Sequence, residues 1–367
     1  MESSVKPLAY YVTAHGYGHA VRSCDIIRAL NELHPGLSIT VVCDLAEDFF
    51  RNRLSGTSNS YRPGSLDAAM VQLDSVRVDV GASLLKAEHL LERRAEMIAR
   101  EAEFLKEGGF GLAIADIPAI PLEAAASLEL PAIAVGNFSW DWIYSDFARK
   151  EPRWGPVVKA FAEGYSRADL LLRLPFAGDM SAFSRIEDLP LLASPGRPRR
   201  REIAELAGCP SKATWVLLSF TTLKWSEEAL DRVERVTDCC FFTVLPLAWK
   251  RRNIYSINRD SVPFADLVAS VDAVISKPGY GIVSECVVNQ TPLIYVDRSD
   301  FLEYDVLEAA VRRYLKHVHI PAGNLYRGDL RAALDALDSA PGPRDTLASG
   351  GATLAARRIV EFLSRRK

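Results

Sequence analysis

The sequence predicts an α/β protein built from two successive parallel-sheet domains. Short, apolar, β-branched runs alternate with segments of helical period, first through the N-terminal half and again through the C-terminal half. Each series carries a glycine-containing turn directly after a buried strand, one at 14–20 and one at 277–281. The 367 residues are enough for about two domains, each able to bury its own core.

Composition narrows the partner. Hydrophobic residues make up 49% and charged residues 25%, as in an ordinary soluble protein. A net charge of -3 leaves no basic excess to displace counterions from a phosphate backbone, which excludes a nucleic-acid surface and points to a small molecule. Six cysteines are scattered without a C-x-x-C pair, mostly in apolar stretches, and read as buried free thiols of a reducing compartment. Met1 to Tyr10 lacks the basic start and apolar run of a secretion signal, and no segment reaches the roughly 18 consecutive apolar residues of a membrane span. A cytoplasmic protein is expected, with peripheral membrane contact left open.

Leu8 to Thr13 is the first expected strand, Val21 to Leu33 a helix and Ser38 to Cys43 the next strand, a β-α-β opening. The turn between them, Ala14-His15-Gly16-Tyr17-Gly18-His19-Ala20, lacks the third glycine of a dinucleotide fingerprint, whose place is taken by Val21. His15 and His19 have the spacing of a helical zinc pair, but glycines stand between them and no third ligand is evident, so no metal is expected. Leu45 to Leu54 reads as helix, Ser55 to Pro63 as an exposed polar loop, and Leu84 to Lys106 as one amphipathic helix packed by Leu85, Leu90, Met97 and Leu105. Leu112 to Ala115 and Pro131 to Val135 are buried strands around a helix at Leu122 to Leu128, and Asp169 to Leu174 is a further strand.

Ligands of such sheets sit beyond the carboxyl ends of strands, and both His19 and Asp116 fall there. A histidine oriented by a buried carboxylate is a general base for a hydroxyl proton. His19 also reads as a structural histidine, and Asp116 as a helix cap. Asn137-Phe138-Ser139-Trp140-Asp141-Trp142-Ile143-Tyr144 follows a strand end; its aromatic faces suit either a sugar or packing between domains.

Residues 191–201, rich in proline and arginine, read as the linker between a domain at 1–190 and a domain at 202–348, with 349–367 a terminal helix that packs back across the linker. Arg197, Arg199, Arg200 and Arg201 are either solvated there or contact phosphate or a membrane surface. Trp215 to Phe220, Cys239 to Leu245, Asn253 to Ile257, Ala273 to Ser276 and Leu293 to Val296 are the second set of strands. Phe264 to Ser270, Phe301 to Tyr314, Asp329 to Leu337 and Ala352 to Arg365 are expected helices.

The second domain carries the more specific signal. After Ser276, Lys277-Pro278-Gly279-Tyr280-Gly281 turns sharply into a helix through Ile282, Ser284 and Glu285. The free amides of the new helix and its dipole form a seat for a diphosphate, and Lys277 adds a charge beside it. Glu285, one turn in, either accepts hydrogen bonds from two ribose hydroxyls or is merely solvated on an ordinary strand-to-helix turn. Thr221 and Thr222, after the first strand of this half, either offer a second set of amides and hydroxyls for phosphates or form a plain turn. Asp300 and Glu303 would repel phosphate and so should face hydroxyl groups.

These motifs resemble the GT-B fold of nucleotide-sugar glycosyltransferases: two Rossmann-like domains with parallel sheets facing an interdomain cleft. Lys277, Gly279, Tyr280 and Glu285 stand where plant small-molecule glycosyltransferases have His, Gly, Trp and a ribose-binding Glu. Ser276, Gly279, Ser284 and Glu285 match the Ser-x-x-Gly-x-x-x-x-Ser-Glu of the bacterial N-acetylglucosaminyltransferase of peptidoglycan synthesis. Gly18-His19 matches a Gly-His of the catalytic cleft in both, and in the plant enzymes that His is the base, with an Asp like Asp116 supporting it. A closer resemblance covers nearly the whole chain: the glycosyltransferase-like N-terminal module of plant L-arabinokinases and its stand-alone bacterial relatives, which share the stretches 10–19, 137–144 and 277–285. No GHMP-kinase phosphate loop is found, so sugar-kinase activity is not implied. Thr221 and Thr222 depart from the paired glycines of many relatives, and the acidic residues around Asp300 and Glu303 depart from the paired glutamines of the peptidoglycan enzyme.

The resemblance implies an inverting, metal-independent glycosyltransferase with no cofactor beyond its co-substrate, a nucleotide-diphosphate sugar, expected to be UDP-linked. His19 would take the proton of an acceptor hydroxyl and Asp116 would hold the imidazole. His15, Tyr17, Asn137, Trp140 and Asp141 would lie on the acceptor side. Thr221, Thr222, Lys277, Gly279, Tyr280, Gly281, Ile282, Ser284, Glu285, Asp300 and Glu303 would lie on the donor side. A non-catalytic nucleotide-sugar-binding or regulatory module and a GT-B nucleotide-sugar epimerase are the rival expectations.

Overall fold

A computed structural model describes residues 6–298 and 301–364, which form two compact units. The first holds Met1–Val71, Asp79–Leu192 and Gly350–Lys367; the second holds Gln72–Val78 and Ala193–Ser349.

The first unit runs β1 (Leu8–Val12), α1 (Tyr17–Leu33), β2 (Ile39–Val42), α2 (Glu47–Arg53) and β3 (Ser60–Arg62). After a separate two-stranded ladder of β4 (Val71–Gln72) and β5 (Val78–Asp79) come α3 (Val80–Glu107), β6 (Leu112–Asp116), α4 (Ile120–Ser127) and β7 (Ala132–Gly136). It closes with α5 (Trp140–Ala148), α6 (Trp154–Tyr165), β8 (Leu170–Arg173) and β9 (Ile186–Asp188). Seven strands pair in parallel in the order β3-β2-β1-β6-β7-β8-β9. β1, β6 and β7 are buried along their whole length, which is why they read as continuous apolar runs.

Several expectations are corrected here. The polar stretch expected as an exposed loop contains β3, an edge strand pairing Tyr61 with Val41. Leu85 does not pack α3: it is 62% exposed, while Leu84, Ala87, Leu90, Met97 and Leu105 are buried. Successive helical residues point about 100° apart, so the face that takes Leu84 turns Leu85 to water. Within the aromatic stretch, Trp140 and Tyr144 are turned inward by α5 and offer no face to a sugar. Trp140, Tyr144 and Trp154 are fully buried and stack at 5.3 and 4.7 Å within the core of this unit.

The second unit runs α7 (Arg200–Ala207), β10 (Thr214–Leu218), α8 (Glu227–Glu234), β11 (Cys239–Val244), β12 (Ile254–Ile257) and α9 (Phe264–Ser270). β13 (Ala273–Ser276), α10 (Tyr280–Asn289), β14 (Leu293–Val296), α11 (Glu303–Tyr314), β15 (His317–Ile320), α12 (Ala322–Arg327) and α13 (Arg331–Ser339) follow. The terminal helix α14 (Gly351–Ser364) belongs to the first unit, where it packs on α1. The six strands are parallel in the order β12-β11-β10-β13-β14-β15, the doubly wound arrangement with its reversal between β10 and β13. Val76, from the short excursion of the N-terminal half, is buried in this unit's core with Val216, Phe241, Ile275 and Ile294.

β15 is absent from the sequence expectations because its alternation of histidine with valine and isoleucine marks a half-exposed edge rather than a buried run. Arg200 is not a solvated linker residue. It lies 4.4 Å from the Trp215 ring centroid and forks onto Asp272 at 2.9 and 3.0 Å. All six cysteines are buried free thiols. Among the described residues no helix is long and apolar enough to cross a membrane.

Candidate functional site

Each sheet reverses its strand order once near its middle, between β1 and β6 in the first unit and between β10 and β13 in the second. The loops beyond the carboxyl ends of those strands diverge to opposite faces and leave a crevice. His15, Tyr17, His19 and Asp116 follow or end β1 and β6; Thr221, Thr222 and the 277–285 turn follow β10 and β13.

In the first unit the reversal point holds a closed polar cluster around Asp116, which is wholly buried. Its Oδ1 accepts from His19 Nδ1 at 2.9 Å and Arg22 Nη2 at 2.6 Å; its Oδ2 accepts from Arg22 Nε at 2.8 Å and Ser23 Oγ at 2.9 Å. Arg22 Nη1 donates to Asn137 Oδ1 at 2.8 Å. Burial alone would raise the Asp116 carboxyl, but the charge and hydrogen bonds of Arg22, with those of His19, hold it well below the usual carboxylate range. An ionised carboxylate only accepts, so His19 Nδ1 carries a proton and Nε2 presents its lone pair. His19 keeps 9% of its surface exposed.

The other residues expected on the acceptor side divide. Asn137 is buried and belongs to the Arg22 network. His15 is half-buried, its ring edge-on to Trp140 at 5.0 Å and 6.4 Å from that of His19. Tyr17 is 40% exposed and tilts against Phe49. Trp140 offers no face to a ligand; its Nε1 donates to Asp67 Oδ2 at 3.2 Å. Asp141 is half-buried, its carboxyl pushed up by that burial.

Sequence reasoning missed Arg22, Ser23 and Asp67. Arg22 and Ser23 lie three and four residues after His19 on α1, so helical spacing placed them on its face. Asp67 lies in an aperiodic loop and gave no such signal. It is buried, its carboxyl raised by burial against the lowering hydrogen bonds of Thr13 and Trp140.

In the second unit, α10 starts at Gly279 without a side-chain cap. A Cβ on Gly279 would meet nothing within 4 Å, so open space lies above the backbone there. Gly281, Ile282 and Glu285 are half-buried; Tyr280 and Ser284 are buried, and Ser284 Oγ has no hydrogen-bond partner. Lys277 is half-buried by surface, yet its ammonium is pushed down to about 7 by desolvation and the nearby charge of Arg298, against the carboxylates of Glu303 and Asp74. Glu303 is buried in the first turn of α11. Asp300 lies outside the described residues.

Thr221 and Thr222 are already engaged. Their amides donate to Ser75 Oγ at 3.2 and 2.9 Å, and Ser75 N donates to the Thr222 carbonyl at 3.3 Å. Beside Ser75, the Asp74 carboxylate accepts from the Val76 and Arg77 amides, the Arg77 side chain and Tyr326 Oη. No sequence pattern links a loop at 72–78 to a turn near 221, so this occupant was invisible to periodicity. Among the described residues no group of His, Cys, Asp and Glu is arranged to hold a metal ion.

Comparison with known proteins agrees with this geometry. No protein-family model matches the chain. It is 30% identical over 326 residues to L-arabinokinase of Arabidopsis thaliana, a match that covers 87% of the chain and 31% of that protein; the chain thus spans about a third of the length of this curated relative. Solved structures of the same fold include the glycotransferase of kitacinnamycin (15% identity, 99% of both chains, TM-score 0.65). CalG4, the calicheamicin glycosyltransferase, is 14% identical, with 100% of this chain and 95% of that chain covered at a TM-score of 0.60. Arabidopsis thaliana UGT89C1, solved in complex with UDP, is 12% identical, with 98% and 99% covered at a TM-score of 0.60. The chain has the GT-B fold.

Proposed function

We propose that the protein is an inverting, metal-independent glycosyltransferase that moves a sugar from a nucleotide-diphosphate donor, UDP-linked, to an acceptor hydroxyl in the cytoplasm. The observation that carries the reading is the His19–Asp116 pair at the reversal point of the first sheet, with Nδ1 committed to the carboxylate and Nε2 left to accept. The acceptor hydroxyl gives its proton to Nε2 as its oxygen attacks the anomeric carbon, and the sugar–phosphate bond breaks on the opposite face. Asp116 fixes the imidazole and balances the imidazolium; a positioned base of this kind contributes about 10²–10⁴-fold. In the second unit the first amides of α10 and the Lys277 ammonium stabilise the charge that gathers on the departing diphosphate, so the step needs no metal. Glu285 takes the ribose hydroxyls.

Two variants test this. His19→Ala should lower transfer by about 10²–10⁴-fold while UDP binding, read by thermal shift, persists; unchanged turnover removes His19 from the mechanism. Gly279→Ala places a methyl where the fold has open space, at a backbone angle of φ −145° that alanine accepts. The variant should melt like the parent and bind UDP more weakly, and equal affinity would show that nothing approaches α10 there.

A second reading is a nucleotide-sugar-binding module without transfer, in which the His19–Asp116 pair is structural. It is distinguished by UDP binding without hydrolysis or transfer to any acceptor and without dependence on His19.

A further inference from the structure

The bonds that converge on Asp116 are unequal in what they carry. Ser23 Oγ and His19 Nδ1 give one each, at 2.9 Å. Arg22 gives two, Nε to Oδ2 at 2.8 Å and Nη2 to Oδ1 at 2.6 Å, a charged fork that grips both oxygens. Its remaining nitrogen, Nη1, donates to Asn137 Oδ1 at 2.8 Å, so the guanidinium plane is fixed from two sides. Both side chains are buried.

A fully buried carboxyl without a cation takes up a proton, because desolvation alone raises such groups by up to about 3–5 units. Burial does push Asp116 upward, but the charge of Arg22 and then its hydrogen bonds outweigh that push, ahead of the contribution from His19. Other titratable groups face the pair. Tyr10 on β1 turns a phenol to the carboxylate, and burial keeps that phenol protonated. The His15 ring stands 6.4 Å from that of His19. Buried Asp67 acts on His19 from the loop before β4, is bonded by Thr13 and Trp140, and feels the charge of Lys86 on α3.

The proton count of the His19–Asp116 pair then turns on Arg22. With the guanidinium on the carboxylate, a second proton would set two positive charges on that one negative charge in a buried site. Without it, the same proton would bring the pair to neutrality. However that proton were shared, as a carboxylic acid bonded to Nδ1 or as an imidazolium, Nε2 would carry a hydrogen and could no longer accept one.

We infer that Arg22 is a positioning residue that keeps Nε2 of His19 an acceptor: its charge holds Asp116 ionised, and the ionised carboxylate holds the single imidazole hydrogen on Nδ1. The catalytic consequence rests on the proposed function. There the acceptor's proton stops at Nε2, and none passes to Asp116.

The test reads the imidazole directly. Long-range proton–nitrogen correlation spectra of histidine-labelled protein, with His19→Ala to assign the signal, compare the parent with Arg22→Gln and Arg22→Lys near neutral pH. The parent and Arg22→Lys should carry the hydrogen on Nδ1 alone, and Arg22→Gln should carry one on Nε2. Transfer by Arg22→Gln should fall about 10²-fold or more while UDP affinity stays within about threefold of the parent. Activity should recover as rising pH ionises the carboxyl, and Arg22→Lys should keep most of it. Hydrogen on Nδ1 alone in Arg22→Gln would make Arg22 a packing residue and overturn the inference. Hydrogen on Nε2 in Arg22→Lys, where the charge is kept, would overturn it too. A moved hydrogen with undiminished transfer upholds the inference and removes His19 as the base, so the two readings fail separately. If Arg22→Gln does not fold, carbon NMR of the Asp116 carboxyl in the parent decides: it must stay ionised down to about pH 4, and protonation above that overturns the inference.

Discussion

The two reversal points are built on the same strand order yet treat charge in opposite ways. Around Asp116 every expected bond is made: two oxygens, four donors, and the spare guanidinium nitrogen on Asn137. Around α10, Ser284 Oγ and Arg298 Nε have no hydrogen-bond partner, and Lys277 is desolvated beside a second cation. A cluster that satisfies itself holds one geometry and is suited to orienting a base. Two desolvated cations side by side are suited to drawing in further negative charge.

The strongest way to break this contrast is Asp116→Ala. It leaves Arg22 buried without its carboxylate, and should cost about 3–5 kcal/mol in urea unfolding. A loss below about 1 kcal/mol would mean the cluster is not the closed unit described. The parent adds a pH signature of the same bond. A carboxyl held below its unfolded value stabilises above the unfolded pKa, so the contribution is intact at neutral pH and is lost as pH falls below about 4 toward the depressed folded value.

Lys277 sharpens the other side. With its free-state value near 7, the cation that a diphosphate requires is depleted as pH rises, and binding must restore the proton. UDP affinity should therefore fall by up to about tenfold per pH unit above 7, with proton uptake visible as a buffer-dependent enthalpy. Lys277→Met should flatten that slope; a parent whose affinity is constant from pH 7 to 9 would show the ammonium to be already charged.

The smallest effect is expected at Ser75. Ser75→Ala leaves the Thr221 and Thr222 amides without their acceptor, for about 1–2 kcal/mol of stability. If the serine stands where a phosphate oxygen goes, the same variant should bind UDP more tightly. A looser complex would instead make the hydroxyl part of the seat.

What was legible in the sequence follows from how local each cause is. β13 and α10 could be placed because an apolar run, a proline and two glycines lie within ten residues, and the His19–Asp116 pairing followed from two strand ends. The Arg22 fork was within reach by helical spacing but was not read. Ser75 and Val76 were not legible at all, since a seven-residue excursion into the other unit's core leaves no periodic trace. The aromatic stretch at 137–144 left two readings open because burial and sugar binding favour the same rings, and composition does not separate them.

The path of the chain sets a practical limit on dissecting the molecule. Gln72–Val78 is lent by the first half to the second, and α14 is returned by the second half to cover α1, so the polypeptide changes unit four times. Severing it near residue 193 would strand Val76 and Ser75 with one fragment and leave an orphan amphipathic helix on the other. Independent production of the two halves thus calls for rewiring, with 350–364 fused to the first piece and the 72–78 segment grafted onto the second, rather than a single scission.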